Sequence, residues 1–108
     1  MATYYVKQGN RSPLIQSSLL QPDGAVEDLT TATNVTLRAR KANTSTYIVD
    51  DLATITDAPN GVVQYQFDAT QTDDPGLLLI EWVKDVGLAS EETYPNYSYD
   101  AIYIERSL

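Results

Sequence analysis

The sequence predicts an all-β fold of the sandwich or barrel type, on three observations. Apolar residues recur with period two in run after run. Turn signals separate those runs at regular spacing. No stretch holds a convincing helical period. The run "TNVTLRARK" sets Val35, Leu37 and Ala39 against Asn34, Thr36, Arg38 and Arg40, as a half-buried strand requires. "GVVQYQFDA" sets Val63, Tyr65 and Phe67 against Gln64, Gln66 and Asp68, and "YDAIYIERS" sets Ile102 and Ile104 against Ala101, Tyr103 and Glu105. "LLLIEWVKD" is less clean: Leu78, Ile80 and Trp82 form one row, while Leu77, Leu79 and Val83 are interrupted by Glu81. A strand apolar on both faces is covered on both, which points to a partner subunit over one of them.

Between the runs stand Gln21-Pro22-Asp23-Gly24, Ala58-Pro59-Asn60-Gly61, Asp73-Asp74-Pro75-Gly76 and Tyr94-Pro95-Asn96, combinations that break strands and reverse chains. Strands are expected near 3–7, 12–20, 25–29, 33–41, 45–56, 61–68, 76–84 and 98–106. One short helical turn fits Ala69 to Asp74, with Thr70 as its cap. In "LLQPDGAVEDLT" the turn explains itself. Pro22 presets φ, Asp23 can bond its own backbone, and Gly24 accepts positive φ. Asp28-Leu29-Thr30 then locks the chain as it crosses to the next strand, with Leu29 as a buried plug and the polar pair bonding nearby backbone.

Composition narrows function. The chain has 108 residues, 43% hydrophobic, so a single domain over 1–108 with a modest core is expected. Seven basic residues against fifteen acidic ones give a net charge of −8. Phosphate backbones and anionic lipid surfaces are bound through Lys and Arg, so neither nucleic acid nor membrane is the expected partner. Cys and His are both absent. That removes disulfides, thiolate chemistry, Ser-His and Cys-His pairs and imidazole zinc ligands. The start "MATYYVKQGN" lacks an apolar signal region, and the longest apolar run, Leu77 to Ile80, is too short to span a bilayer. A soluble chain without a cleaved signal is expected.

Carboxylates are the only abundant chemical groups. Asp50-Asp51, Asp73-Asp74 and Glu91-Glu92 are adjacent pairs, but neighbours in a strand point to opposite faces. No stretch has the ligand spacing of an EF-hand loop. A hydrolase would need two carboxylates facing across a cleft, and nothing in the spacing selects such a pair. No enzyme, cofactor or metal is expected. Eight of the ten aromatic residues are Tyr. Tyr94, Tyr97, Tyr99 and Tyr103 crowd the C-terminal segment, with Trp82 in an earlier strand. Such rings suit cross-strand pairing and protein interfaces, and secondarily a platform for sugars.

The ordered series of these pieces resembles the phage baseplate upper protein N-terminal domain family. In "SPLIQSSLLQPDGAVEDLTTATNVTLRARK" the matching positions are Pro13, Leu19, Asp23, Gly24, Val26, Asp28, Leu29, Thr30, Ala32, Val35, Leu37 and Arg40. "ATITDAPNGVVQYQFDATQTDDPGLLLIEWV" continues the likeness through Gly61, Val63, Tyr65, Asp73, Gly76 and Trp82, and "ETYPNYSYDAIYI" closes it with Pro95 before the last strand. The likeness runs from about Ser12 to Ile104. It implies an immunoglobulin-like antiparallel β-sandwich of about seven to eight strands, with a short N-terminal arm over about 1–11. It further implies a structural protein of a tailed-phage virion, made in the bacterial host cytoplasm and present in multiple copies or as a homo-oligomer. Baseplate, tail and neck are the expected sites, with capsid decoration or head-fibre anchoring as the alternative. In larger baseplate proteins such a domain leads into regions that contact the receptor-binding protein. This sequence stops at Leu108, so receptor binding is not expected of it. The expected contact residues are Tyr4, Tyr5 and Val6 of the arm, with Tyr97, Tyr99 and Tyr103.

Overall fold

Period-two patterning becomes two sheets whose inward rows meet. A computed structural model describes residues 3–9, 14–68, 70–95 and 100–106. The larger sheet holds β1 (Thr3–Lys7), β3 (Val35–Lys41), β4 (Tyr47–Leu52), β7 (Gly76–Lys84), β8 (Glu92–Tyr94) and β9 (Asp100–Glu105). Its order is β1-β9-β7-β3-β4, with β8 continuing alongside β7. The smaller sheet holds β2 (Leu14–Ser18), β5 (Thr54–Asp57) and β6 (Val62–Gln66) in the order β2-β6-β5. This division of consecutive strands between two packed sheets makes a β-sandwich.

The core forms where the inward rows interdigitate. Leu37 lies opposite Trp82 and Ala39 opposite Ile80 in the β3–β7 ladder, and all four are 0% exposed. Ile15, Val63, Tyr65 and Phe67 close over them from the smaller sheet. The Trp82 indole N–H has no hydrogen-bond partner, so Trp82 contributes by packing alone. Trp82→Phe should therefore cost about 1–2 kcal/mol and Trp82→Ala about 3–5 kcal/mol, measured by urea unfolding. Equal losses for the two would mean that the indole N–H matters more than the ring's volume.

Four expectations change. Nine strands appear among the described residues, and β1 runs parallel to β9, not antiparallel. A strand from the start of the chain meets one from its end, with the whole sandwich as the crossover, so no tight turn dictates their sense. The run expected as one strand over 45–56 divides at Ala53 into β4 and β5, which belong to different sheets. The Ala53 N–H donates to the Val35 carbonyl at 2.8 Å and holds the break. Residues 25–29 form no strand beyond an isolated Leu20–Val26 bridge. Their backbone bonds serve the crossing instead: Glu27 N–H donates to Leu19 and Leu29 N–H to Ala58. Leu29 itself is 2% exposed. Finally, Thr70 to Thr72 is a turn, not a helix. Asp68 caps it, accepting from the Thr70 hydroxyl and the Gln71 N–H at 2.6 and 2.9 Å.

The other structural positions singled out in the sequence have local tasks. Asp23 accepts the Ala25 N–H at 3.0 Å, and Gly24 has φ 89°. Asp28 accepts the Thr30 N–H at 2.9 Å, a bond that holds its carboxyl below the usual range. The Tyr65 hydroxyl donates to Asp51 of the opposite sheet at 3.1 Å and accepts from Gln71 at 2.9 Å. Gly76 opens β7 with φ 137°.

Candidate functional site

The parity of the larger sheet decides which side chains face outward. On β1, Tyr4 and Val6 are half-buried and pack against the core. The Tyr4 hydroxyl donates to the Gln16 carbonyl of the other sheet at 3.0 Å. Burial, then the charge of Asp100, pushes its ionisation above the usual phenol range. These two residues of the expected contact set therefore face inward, and their segment, expected as a strand near 3–7 within a short N-terminal arm, is the edge strand β1. Tyr97 and Tyr99 lie outside the described residues. Tyr5 and Tyr103 share the outer face.

The parallel ladder places Tyr5 directly beside Tyr103, and the β7–β9 ladder places Leu77 next in the row. The two rings lie 6.4 Å apart between centroids, tilted by 36°. Exposure is 69% for Tyr5, 48% for Tyr103 and 38% for Leu77, high for three large side chains in contact register. The next row runs Ala101, Leu79, Arg40 and Tyr47 across four strands. Arg38 lies over the Tyr47 ring at 5.5 Å and pairs with Asp50 at 3.2 Å, which fixes the guanidinium against the sheet. Lys7 and Glu105 pair at 3.3 Å beside Tyr103. The result is an open face with an aromatic-aliphatic side and a cationic side. Leu77 and the Arg38–Tyr47 contact were not among the sequence-derived contact residues. Leu77 was visible there, in the outward row that Glu81 interrupts.

Two buried carboxylates form a different kind of site. Glu27 accepts from Lys84 Nζ at 2.9 Å and the Tyr94 hydroxyl at 3.0 Å on one oxygen, and from Gln21 at 2.9 Å on the other. Lys84 foremost holds the Glu27 carboxyl below its ordinary range, and Glu27 in turn raises Lys84. Burial, then the two neighbouring carboxylates, pushes Tyr94 far above the phenol range. Asp85 sits at φ 54° and accepts from the Ser90 hydroxyl and the Thr33 N–H, both at 2.7 Å. Ser90 is the main cause of its lowered ionisation. Both carboxylates have their oxygens committed to holding loops onto β7. The adjacent acid pairs are drawn apart: Asp50 turns to Arg38, while Asp51 turns to Tyr65. Among the described residues no group of three or more His, Cys, Asp or Glu is placed to hold a metal ion.

No family model matches this chain, and no curated protein matches it.

Proposed function

We propose that this chain is a non-enzymatic structural protein of a tailed-phage virion, present in multiple copies. It docks as an immunoglobulin-like subunit on a baseplate, tail or neck assembly. The observation that carries the contact reading is the exposed row of Tyr5, Tyr103 and Leu77 on the open face of the larger sheet. Rings there lose little rotamer freedom on docking and bury large areas. The particle is suggested by the resemblance that runs from about Ser12 to Ile104.

Particles carrying Tyr5→Ala together with Tyr103→Ala should hold about 10-fold less of this protein, as expected for loss of two aromatic anchors. Unchanged incorporation would sink the contact reading. Cross-linking of intact particles through Lys7 and Lys41 identifies the neighbours. Links to tail or baseplate proteins support docking there, and links to the major capsid protein alone make the chain a decoration subunit. Absence of the protein from particles removes the virion reading. A sugar-binding surface module is the second reading, favoured only by the exposure of the two rings. Their 36° tilt and the neighbouring Leu77 suit a protein face better than a flat sugar platform. A glycan array separates the two.

A further inference from the structure

Edge strands carry backbone N–H and C=O groups that no neighbouring strand takes up, and β1, β2 and β5 are each guarded against strand addition. On β2 the outward Gln16 carbonyl accepts the Tyr4 hydroxyl at 3.0 Å. β5 is four residues long, and its register shifts between Ile55 and Asp57. β1 ends on Lys7, a charge that discourages a further strand. β4 lacks these guards over its second half. It holds no Lys or Pro, and its irregularity lies at Ile48, near its start. The Ala53 N–H, donated to the Val35 carbonyl, sets the parity of the β3–β4 ladder. Leu37 and Asp51 exchange hydrogen bonds, whereas Asp50 and Leu52 turn both backbone groups away from β3. Side chains along β4 are open as well: Leu52 is 68% exposed, Tyr47 45% and Ile48 41%.

Those outward groups select an extended chain. A strand laid beside β4 at ~4.8 Å satisfies the N–H and C=O of both Asp50 and Leu52. A second copy fits poorly. In an antiparallel pair of copies these groups all find partners only with Asp50 opposite Leu52, which sets Asp51 directly against its own counterpart. The net charge of −8 adds to that repulsion. The added strand therefore belongs to a different protein, and the edge specifies its side chains. Opposite Asp51 it meets a carboxylate that accepts the Tyr65 hydroxyl at 3.1 Å but has no ion-pair partner among the described residues. Asp51 spends its backbone bonds on β3, and such a pair brings cross-strand side chains closest. A Lys or Arg opposite it completes an ion pair. Opposite Asp50 and Leu52 the added side chains fall on the outer face, beside Leu52 and Tyr47, where apolar groups bury the most.

We infer that the open edge of β4 takes up an extended segment of a second protein, one that alternates apolar and basic residues. This site goes beyond the docking row of Tyr5, Tyr103 and Leu77 and depends on no particular particle. Nuclear magnetic resonance on the isotope-labelled full chain tests it, with short end-blocked peptides as probes. A peptide alternating valine and lysine should shift the Asp50 and Leu52 amide resonances with a Kd on the order of 1 mM, since a free peptide loses its chain entropy on docking. At ~10 mM it should slow hydrogen exchange at those two amides ~10-fold. The same peptide N-methylated at its valines keeps its charge but cannot pair with the edge, and should bind ~10-fold more weakly. A peptide alternating valine and glutamate should be rejected to the same degree. No shift at Asp50 and Leu52 by ~10 mM overturns the site. Equal binding of the N-methylated peptide also overturns it, because charge attraction alone would then explain the shifts. Equal binding of the glutamate peptide overturns the basic partner. Shifts at these two amides with protein concentration alone would give the edge to a second copy, and the proposal fails. None of these outcomes touches the contact through Tyr5 and Tyr103, which incorporation into particles decides separately.

Discussion

Gly61→Ala should destabilise the protein by about 3–5 kcal/mol, combining left-handed strain with a clash that has no flexible neighbour to relieve it. Gly61 has φ 67°, and an added Cβ would stand 2.5 Å from the Glu27 carbonyl oxygen and 3.0 Å from that of Leu19. Both are backbone atoms, and both belong to the crossing that joins the sheets. Leu19 N–H donates to the Gly61 carbonyl, and Glu27 N–H donates to the Leu19 carbonyl, each at 2.9 Å. Relieving the clash must part these three segments and unseat Leu19, which is 1% exposed. In thermal unfolding the midpoint should fall by about 12–25 °C for a chain of this size. Gly24→Ala is the control. Its φ is 89°, yet nothing lies within 4 Å of the added Cβ, so only the conformational strain of about 1–2 kcal/mol is expected. If the two substitutions cost the same, the close approach at Gly61 is not what holds the crossing.

The contrast between these two glycines marks what the sequence could disclose. Both stand in recognisable turn motifs, Pro22-Asp23-Gly24 and Pro59-Asn60-Gly61, so the need for positive φ was legible at each. That Leu19 and Glu27 would press on one and leave the other open is a tertiary fact with no local signal. The same holds for the strands. β3, β6 and β7 were readable because each alternates against a buried row. β8 has three residues, of which only Tyr94 is buried, too few for a period. The split at Ala53 was hidden because Asp50-Asp51 ends the alternation of β4 just before β5 begins. At the contact face, period two already forbade Tyr4 and Tyr5 from sharing a side. Which of them faced outward depended on pairing with β9, nearly the whole chain away. Parity also bore on Glu27, which alternates with Val26 and Asp28 to share a side with Leu29. A carboxylate on a buried parity needs a partner. In the sequence nothing tied it to Lys84, 57 residues on.

That partnership makes Glu27 the second position of large effect. Glu27→Ala should cost about 2–4 kcal/mol, the lower part of the range for breaking a buried pair because the Lys84 side chain retains 12% exposure. The loss has an identifiable source. Lys84 would keep only the more distant Glu92, at 3.8 Å, and Tyr94 would keep one acceptor of two. Removing both charges together, as Glu27→Met with Lys84→Met, should cost less than the sum of the single changes, because neither charge is then left unpaired. Additivity would mean that the 2.9 Å contact carries no coupling. The same node sets the pH dependence. The folded Glu27 and Asp85 carboxyls ionise below their usual ranges, so their contribution is complete above the unfolded carboxylate pKa of about 4 and is lost as pH falls through their folded values. Lys84 and Tyr94 are raised, so theirs is complete below about pH 10 and fades as pH climbs past it. Urea midpoints should therefore form a plateau between about pH 5 and 9, falling at both ends. Glu27→Gln should flatten the acid limb, leaving Asp85, Asp28 and Asp68, whose carboxyls are also lowered, to carry what remains of it, and should lower the plateau itself, since a neutral amide holds Lys84 less strongly than a carboxylate. An acid limb unchanged in Glu27→Gln would place the titrating group elsewhere, with Asp85 the next to test.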